Sequence, residues 1–501
     1  MKINEIKWGA ILSYVVIGLN MIVGITYLPF VTGMLGQSEY GLYSLVSSII
    51  SYLTVLDLGF SSAIIIYTAK YIAQKDKEKQ KTLHGMFFII YTFIGAIAGV
   101  IGIILLLNID NIFGNSLSIA ELEKAKILMS ILTLNLIITF PLSIFNSIIS
   151  AYEKFVFIKI INIVRIILTP LIMIPLLFLG YKSIALVIVL TIVNVICLLI
   201  NMLYCYKKLD VKFTFKKFDN SLFKEIIIFS FFIFLNLIID RINWSVDQFI
   251  IGISLGTVSV AIYAVASQFN QFYLMFSTAI SGVLLPKISK MEEDKATDKE
   301  YTDIFIQTGR IQYIIMALIM TGFILFGSPF IIKLFGFEYR ESFILSCILL
   351  LSVTIPLIQN VGISILQVKN LHKFRSLVFL GIAVLNIILS VVLVNIYGVI
   401  GAAIGTAVAL ILGQGIILNI YYYKKININI PEFWKQILEM TIPVLMSLLI
   451  GVIIVNLIPL TKWSFIPQII LYIIVYFLLM WNLGMNDYER SGCKNLLARR
   501  K

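Results

Sequence analysis

Charge is what this sequence has least of. Only 13% of its 501 residues are Asp, Glu, Lys or Arg, about half the share of a water-soluble domain. It has two histidines and four cysteines. Cys197, Cys205, Cys347 and Cys493 show neither CxxC nor metal-ligand spacing, which excludes a disulfide framework or a zinc site read from pattern. His84 and His372 lie far apart at helix ends and are read as interface residues. No GxxxxGK[ST] loop occurs, so the chain carries no ATPase motif of its own. Polar loops are short as well, none longer than about 20 residues. That leaves no room for a soluble catalytic domain.

What is there is apolar: 60% of the residues are hydrophobic. A water-soluble fold could not hide that surface, so lipid is the expected solvent. Spans of the length a membrane helix needs are expected at 7–33, 40–68, 84–107, 124–149, 158–180, 183–205, 224–253, 258–285, 305–332, 342–368, 376–396, 399–423, 435–458 and 464–484. Continuous runs of this length read as helices, because barrel strands are about 10 residues and alternate. The expected fold class is an all-α membrane protein of about 14 transmembrane helices. Lys2 and Lys7 precede a first apolar run too long for a signal-peptide core, so it is read as an uncleaved first helix.

The net charge of +13 is explained by where the basic residues fall. With the N-terminus inside, 30 of the 39 Lys and Arg lie on the cytoplasmic side and six on the other. This bias places both termini in the cytoplasm and removes any need for a nucleic-acid partner.

The chain also resembles itself. Leu35-Gly36 and Tyr43 recur as Leu255-Gly256 and Tyr263, Lys154-Phe155 as Lys373-Phe374, and Tyr204-x-Tyr206-Lys207-Lys208 as Tyr421-x-Tyr423-Lys424-Lys425. The offsets are 220, 219 and 217 residues. Two six-helix lobes, 1–209 and 210–425, with helices 13 and 14 and the tail at 426–501, are expected to face one another around a central cavity. An even helix number gives both repeats one orientation, the arrangement of rocking-bundle transporters.

Polar residues inside spans mark the candidate site. Asn236, Asp240, Asn243 and Asp247 follow i, i+4, i+7, i+11, one stripe of a helix. Asp240 and Arg241 lie near mid-span, where each charge costs about 2.5–3.5 kcal/mol. A stripe of this kind lines a cavity or forms a structural ion pair. Asn20 in the first helix, Asp57 in the second and Gln271 in the eighth are further cavity candidates. Arg165, with Asn162 and Thr169, and Arg310, with Gln307, lie toward the cytoplasmic side. Arginine forks match phosphate, with snorkelling to the interface as the alternative. Pro141, Pro170, Pro356 and Pro443 are expected kinks. No catalytic set, metal site or cofactor motif emerges.

The segment Gly33-Met-Leu-Gly-Gln-Ser-Glu-Tyr-Gly-Leu-Tyr43, then Leu56-Asp57-Leu58-Gly59-Phe60, Asp247-Gln-Phe-Ile-Ile-Gly252 and His372-Lys373-Phe374 together resemble the polysaccharide-flippase branch of the MOP exporter superfamily. The resemblance spans essentially the whole chain. It implies a non-enzymatic flippase of the bacterial cytoplasmic membrane. Such a protein moves undecaprenyl-diphosphate-linked oligosaccharide to the outer leaflet by alternating access, alongside glycan polymerase or export partners. Arg165, Arg241 and Arg310 suit the diphosphate. Asp240 and Asp247 would pair with them, meet sugar hydroxyls or bind a coupling H+ or Na+. Lipid II flippases carry an Arg-Asp pair in helix 1, and many cation-coupled drug exporters a carboxylate there. This chain has only Asn20 near mid-depth. A MATE-like exporter, a lipid II flippase and a membrane polysaccharide polymerase or ligase are the competing readings. The last would need a sizeable outer loop with acid, base or arginine groups.

Overall fold

An apolar run in lipid must satisfy its backbone within itself, and the α-helix does so. The computed structural model describes residues 5–215, 220–281, 284–369, 371–457 and 465–498, and among them are helices and no strand. The chain divides into two compact units, Met1–Ala264 and Val265–Lys501.

The first unit holds α1 (Glu5–Leu35), α2 (Gln37–Leu53), α3 (Phe60–Ala73), α4 (Lys77–Leu107), α5 (Ile109–Phe113), α6 (Ile119–Ala151), α7 (Phe155–Phe178), α8 (Ser183–Lys208) and α9 (Asn220–Leu255), and ends within α10 (Thr257–Ser281). The second continues with α11 (Leu285–Glu293), α12 (Asp298–Phe335), α13 (Glu341–Ile358), α14 (Val361–Val368), α15 (His372–Tyr397), α16 (Val399–Leu410), α17 (Leu418–Lys425), α18 (Ile430–Leu457), α19 (Phe465–Leu479) and α20 (Asp487–Ala498). Among the described residues, twelve helical stretches are long and apolar enough to cross a membrane. The expected spans 224–253 and 258–285 fall on α9 and α10, helices of 36 and 25 residues. Fourteen is therefore an approximate count.

The second expected span is not one helix. It breaks at a 3-10 turn, Thr54–Asp57, followed by two left-handed residues, Leu58 (φ 53°) and Gly59 (φ 74°). A Cβ at Gly59 would lie 2.6 Å from the Ile233 side chain, so only glycine lets α9 pack this close. Unwound backbone inside a membrane is tolerated where protein covers it, and α4 and α9 both pack on this turn. Of the expected proline kinks, Pro356 precedes a break, the turn at Gln359–Asn360. Pro141, Pro170 and Pro443 lie inside helices that continue through them.

The internal repeat has a structural counterpart. Phe157 stacks on Tyr204 at 3.8 Å, and Phe374 stacks on Tyr421 at 4.0 Å. The Val211 amide donates to the Cys205 carbonyl, and the Ile428 amide to the Tyr422 carbonyl. Left-handed Asp210 recurs as Asn427. All of these pairs are 217 residues apart. The match of Phe155 to Phe374, at an offset of 219, is thereby corrected: Phe157 occupies the equivalent place.

In the second unit, α18 and α19 pack on α12. Met440, Tyr472 and Tyr476 are fully buried in their shared core. The Tyr472 hydroxyl donates to Thr321 Oγ1 (2.5 Å) and the Tyr476 hydroxyl to the Ile314 carbonyl (2.8 Å). These buried hydroxyls are satisfied, as an apolar surrounding requires.

Candidate substrate site

Helix α9 is held in the first unit by close backbone approaches. A Cβ at Gly252 would meet Leu45 of α2 at 2.4 Å. At the start of α10, a Cβ at Gly41 would sit 1.8 Å from the Thr257 carbonyl oxygen. Small residues at such contacts are how membrane helices approach closely. The packing fixes the polar side chains of α9. Asp247 is buried and accepts from the Tyr263 hydroxyl at 2.6 Å. Asn243, one turn earlier on the helix, is buried, and its Oδ1 has no hydrogen-bond partner among the described residues. Arg241 is exposed. The side chains of Asn236 and Asp240, the other half of the expected stripe, lie outside the described residues.

A second group surrounds Arg165. Helices α3, α6, α7 and α8 line a partly open cavity of about 260 Å³. Arg165 and Asn162 reach it from α7, Asn194 and Asn201 from α8, and Asn146 from α6. The stripe on α6 that faces it is Thr139, Ser143 and Asn146, spaced i, i+4, i+7 as on α9. Among the described residues, no carboxylate lines this cavity. Arg165 Nε and Asn201 Oδ1 are both shut off from solvent, with no hydrogen-bond partner among the described residues. Asn194 Nδ2 donates to Asn135 Oδ1 and Thr139 Oγ1, both at 2.8 Å. Asp57 stands behind the lining. It accepts from Ser61, which lines the cavity (2.9 Å), and from the Tyr91 hydroxyl (2.6 Å).

The remaining candidates are elsewhere. Asn20 donates to the Val16 carbonyl of its own helix at 3.0 Å. Gln271 is exposed in the second unit. Arg310 is 4% exposed and committed to a structural ion pair, not to the membrane interface or an open mouth. Its Nε and Nη2 donate to the Glu489 carboxylate of α20 at 2.6 and 2.9 Å, and Nη2 also reaches the Gly484 carbonyl at 2.8 Å. The partner lies 179 residues away, so helical spacing held no sign of it. Sequence reasoning missed Asn146, Asn194 and Asn201. Their signal was present: Asn194 and Asn201 are seven apart in an otherwise apolar run, one face of a helix.

A helical bundle of this kind, with polar groups turned into its interior, is the fold of MOP-superfamily transporters. The lipid II flippase MurJ in an inward closed conformation superposes with a TM-score of 0.72 at 19% identity, covering 94% of this chain and 97% of its own. An inward-facing multidrug MATE transporter gives 0.61 at 17% identity, covering 83% and 95%. Residues 6–292 match the polysaccharide biosynthesis protein family, and the chain belongs to that family. A Shigella flexneri protein named "Putative O-antigen transporter" is 25% identical over 404 residues, 78% of this chain and 91% of its own. The Haloferax volcanii protein "Probable low-salt glycan biosynthesis flippase Agl15" is 25% identical over 170 residues, 33% and 35% of the two chains.

Proposed function

We propose that this protein carries an undecaprenyl-diphosphate-linked oligosaccharide from the cytoplasmic to the outer leaflet of a bacterial cytoplasmic membrane by alternating access. Both termini are cytoplasmic in this reading, as the distribution of lysine and arginine implies. Family membership and the glycan-related names of its relatives support a lipid-linked glycan as cargo. The observation that carries the reading is Arg165: a guanidinium in a polar cavity with no carboxylate among its described lining residues. An isolated cation inside the membrane is expensive and finds its counter-charge in an anionic head group. Arg241, exposed on α9, is the second cation, suited to the diphosphate. The isoprenoid tail stays in the bilayer.

A lipid II cargo is less favoured, because α1 offers Asn20 bonded to its own helix in place of a charged pair. Asp57 and Asp247 keep a coupling H+ or Na+ in the scheme, since a membrane carboxylate can cycle one. The test is surface-glycan display in cells lacking the gene, with the leaflet position of the lipid-linked precursor. Precursor trapped on the cytoplasmic leaflet, rescued by the wild type and not by well-inserted Arg165→Ala or Arg241→Ala, is the expected result. Normal display without the gene, or precursor that reaches the outer leaflet unpolymerised, removes the flippase reading.

A further inference from the structure

Three lysines share one pocket at the end of the first unit that the lysine and arginine distribution assigns to the cytoplasm. Lys77 and Lys81, on the first turns of α4, and Lys212, on the segment after α8, line a partly open space of about 170 Å³. Asp210 is its one carboxylate among the described residues. Tyr152, whose hydroxyl accepts from Gln80 Nε2 at 3.0 Å, and buried His84, bonded to Thr68 Oγ1 at 3.2 Å, also line it. Lys81 meets Glu78 and Lys212 meets Asp210, but both carboxylates stand largely in water, where an ion pair is weak. The pocket therefore keeps a positive balance. The end of α4 is not the attraction by itself, since Asp76 already accepts from the Lys79 amide. The positive end of the helix dipole makes lysines beside it costlier still.

The second unit treats the repeated turn differently. Left-handed Asn427, the repeat of Asp210, donates to Asp298 at the start of α12 at 2.9 Å. The Asn429 amide, at the repeat of Lys212, donates to Thr302 Oγ1 at 3.2 Å. An acidic helix start and direct hydrogen bonds hold that turn, where the first unit has lysines and a pocket. The helix face leading inward completes the ligand. Lys77, Lys81, His84 and Phe88 follow i, i+4, i+7, i+11 on α4, one face running from charge into the apolar span. Phe88 packs on Phe213 and Phe215, of the same segment as Lys212, with ring centres 5.9 and 6.1 Å apart. Phe215 is 57% exposed. An exposed phenylalanine beside a cationic pocket at the membrane surface suits a ligand with an anionic head and a hydrocarbon body. A soluble phosphate makes no use of it. We propose that this pocket binds the phosphate head group of an anionic phospholipid of the cytoplasmic leaflet, with an acyl chain against Phe88 and Phe215. Basic pockets on the cytoplasmic side of membrane proteins hold such head groups. The bound lipid fastens the segment after α8 to α4. This site is independent of the cargo.

The test is native mass spectrometry of the full-length protein in detergent, titrated with phosphatidylglycerol or phosphatidylcholine and challenged with sodium glycerol 3-phosphate. The wild type retains one phosphatidylglycerol at least about tenfold more tightly than phosphatidylcholine, and glycerol phosphate does not displace it. The triple change Lys77→Gln, Lys81→Gln and Lys212→Gln weakens this lipid roughly ten- to a hundredfold, down to the level of phosphatidylcholine. Asp210→Asn removes the one opposing charge, keeps a residue that accepts the left-handed turn, and tightens it. Phe215→Ser weakens both lipids. Lys424→Gln with Lys425→Gln, a basic pair of the second unit, leaves the preference in place. Equal retention of the two lipids by the wild type overturns the proposal. Displacement by glycerol phosphate gives the pocket to a soluble phosphate and overturns it too. So does an equal loss from the Lys424 and Lys425 changes, which would mark general attraction to a basic surface. The wild-type comparison decides the matter even where a variant fails to insert. Cargo transfer plays no part in this readout, so failure here leaves the flippase reading standing.

Discussion

Phe157 stacks on Tyr204 in the first half of the chain and Phe374 on Tyr421 in the second. Eight residues further along the same helices, one half holds Arg165 and the other Ile382. The shared stack shows one local architecture used twice. The divergence leaves a polar cavity in one copy and close packing around Gly413 in the other. The halves differ at their edges as well. The second is closed by α18, α19 and α20, pinned through the buried Arg310–Glu489 pair.

That pin is the strongest place to test the contrast. Arg310→Ala strands the Glu489 carboxylate and should lower stability by about 3–5 kcal/mol, read as a lower melting temperature in detergent and proteolysis within residues 485–498. The paired change Arg310→Met with Glu489→Leu should recover most of it. An unchanged melt for the single variant would show that the tail helix is not held this way.

Next come exchanges between the halves. Arg165→Ile gives the first half the residue of the second. It should reduce precursor transfer at least about tenfold with no loss of thermal stability, since a half-buried cation within the membrane span has been removed. Ile382→Arg should destabilise by about 2.5–3.5 kcal/mol. Equal thermal effects of the two exchanges would erase the distinction between cavity and packed core.

Filling changes are smaller. Gly413→Val should cost about 1–3 kcal/mol by forcing Ile382 aside, whereas Asn201→Leu has cavity to grow into and should cost little or stabilise. The melting temperatures of the two variants, measured side by side, check this. Smallest and sharpest is the shared stack: Tyr204→Leu and Tyr421→Leu should each cost about 0.5–1.5 kcal/mol beyond lost area, and by the same amount. Clearly unequal losses would break the structural equivalence itself.

Much of this is legible in the sequence. The helical class follows from span length, and the repeat from three weak matches. The places where the sequence misleads share a cause. Hydropathy makes span 40–68 one helix because it does not register the conformation of single residues; Gly59 takes a left-handed φ with Ile233 pressed against it. Depth along a helix suggests an anion contact or snorkelling for Arg310, while its role depends on Glu489, distant in sequence. Helical spacing joins Arg165 to Asn162 but not to the asparagines of α6 and α8, which only packing brings beside it. Of the α9 stripe, Asn243 and Asp247 are both buried within the first unit and Arg241 is exposed.

What the sequence by itself determined is the solvent and the topology class: 60% apolar residues and long uncharged runs admit only a helical membrane bundle. Its repeat likewise pointed to one local arrangement, an aromatic stack at a helix end, that occurs twice. Only the tertiary structure decided which polar side chains meet. A charge in a membrane helix must find a partner, but the partner comes from whichever helix packs beside it. Arg310 found a carboxylate on the tail helix, and Arg165 found a ring of amides with no carboxylate among the described lining residues. That difference made the first a clamp and the second a candidate for binding.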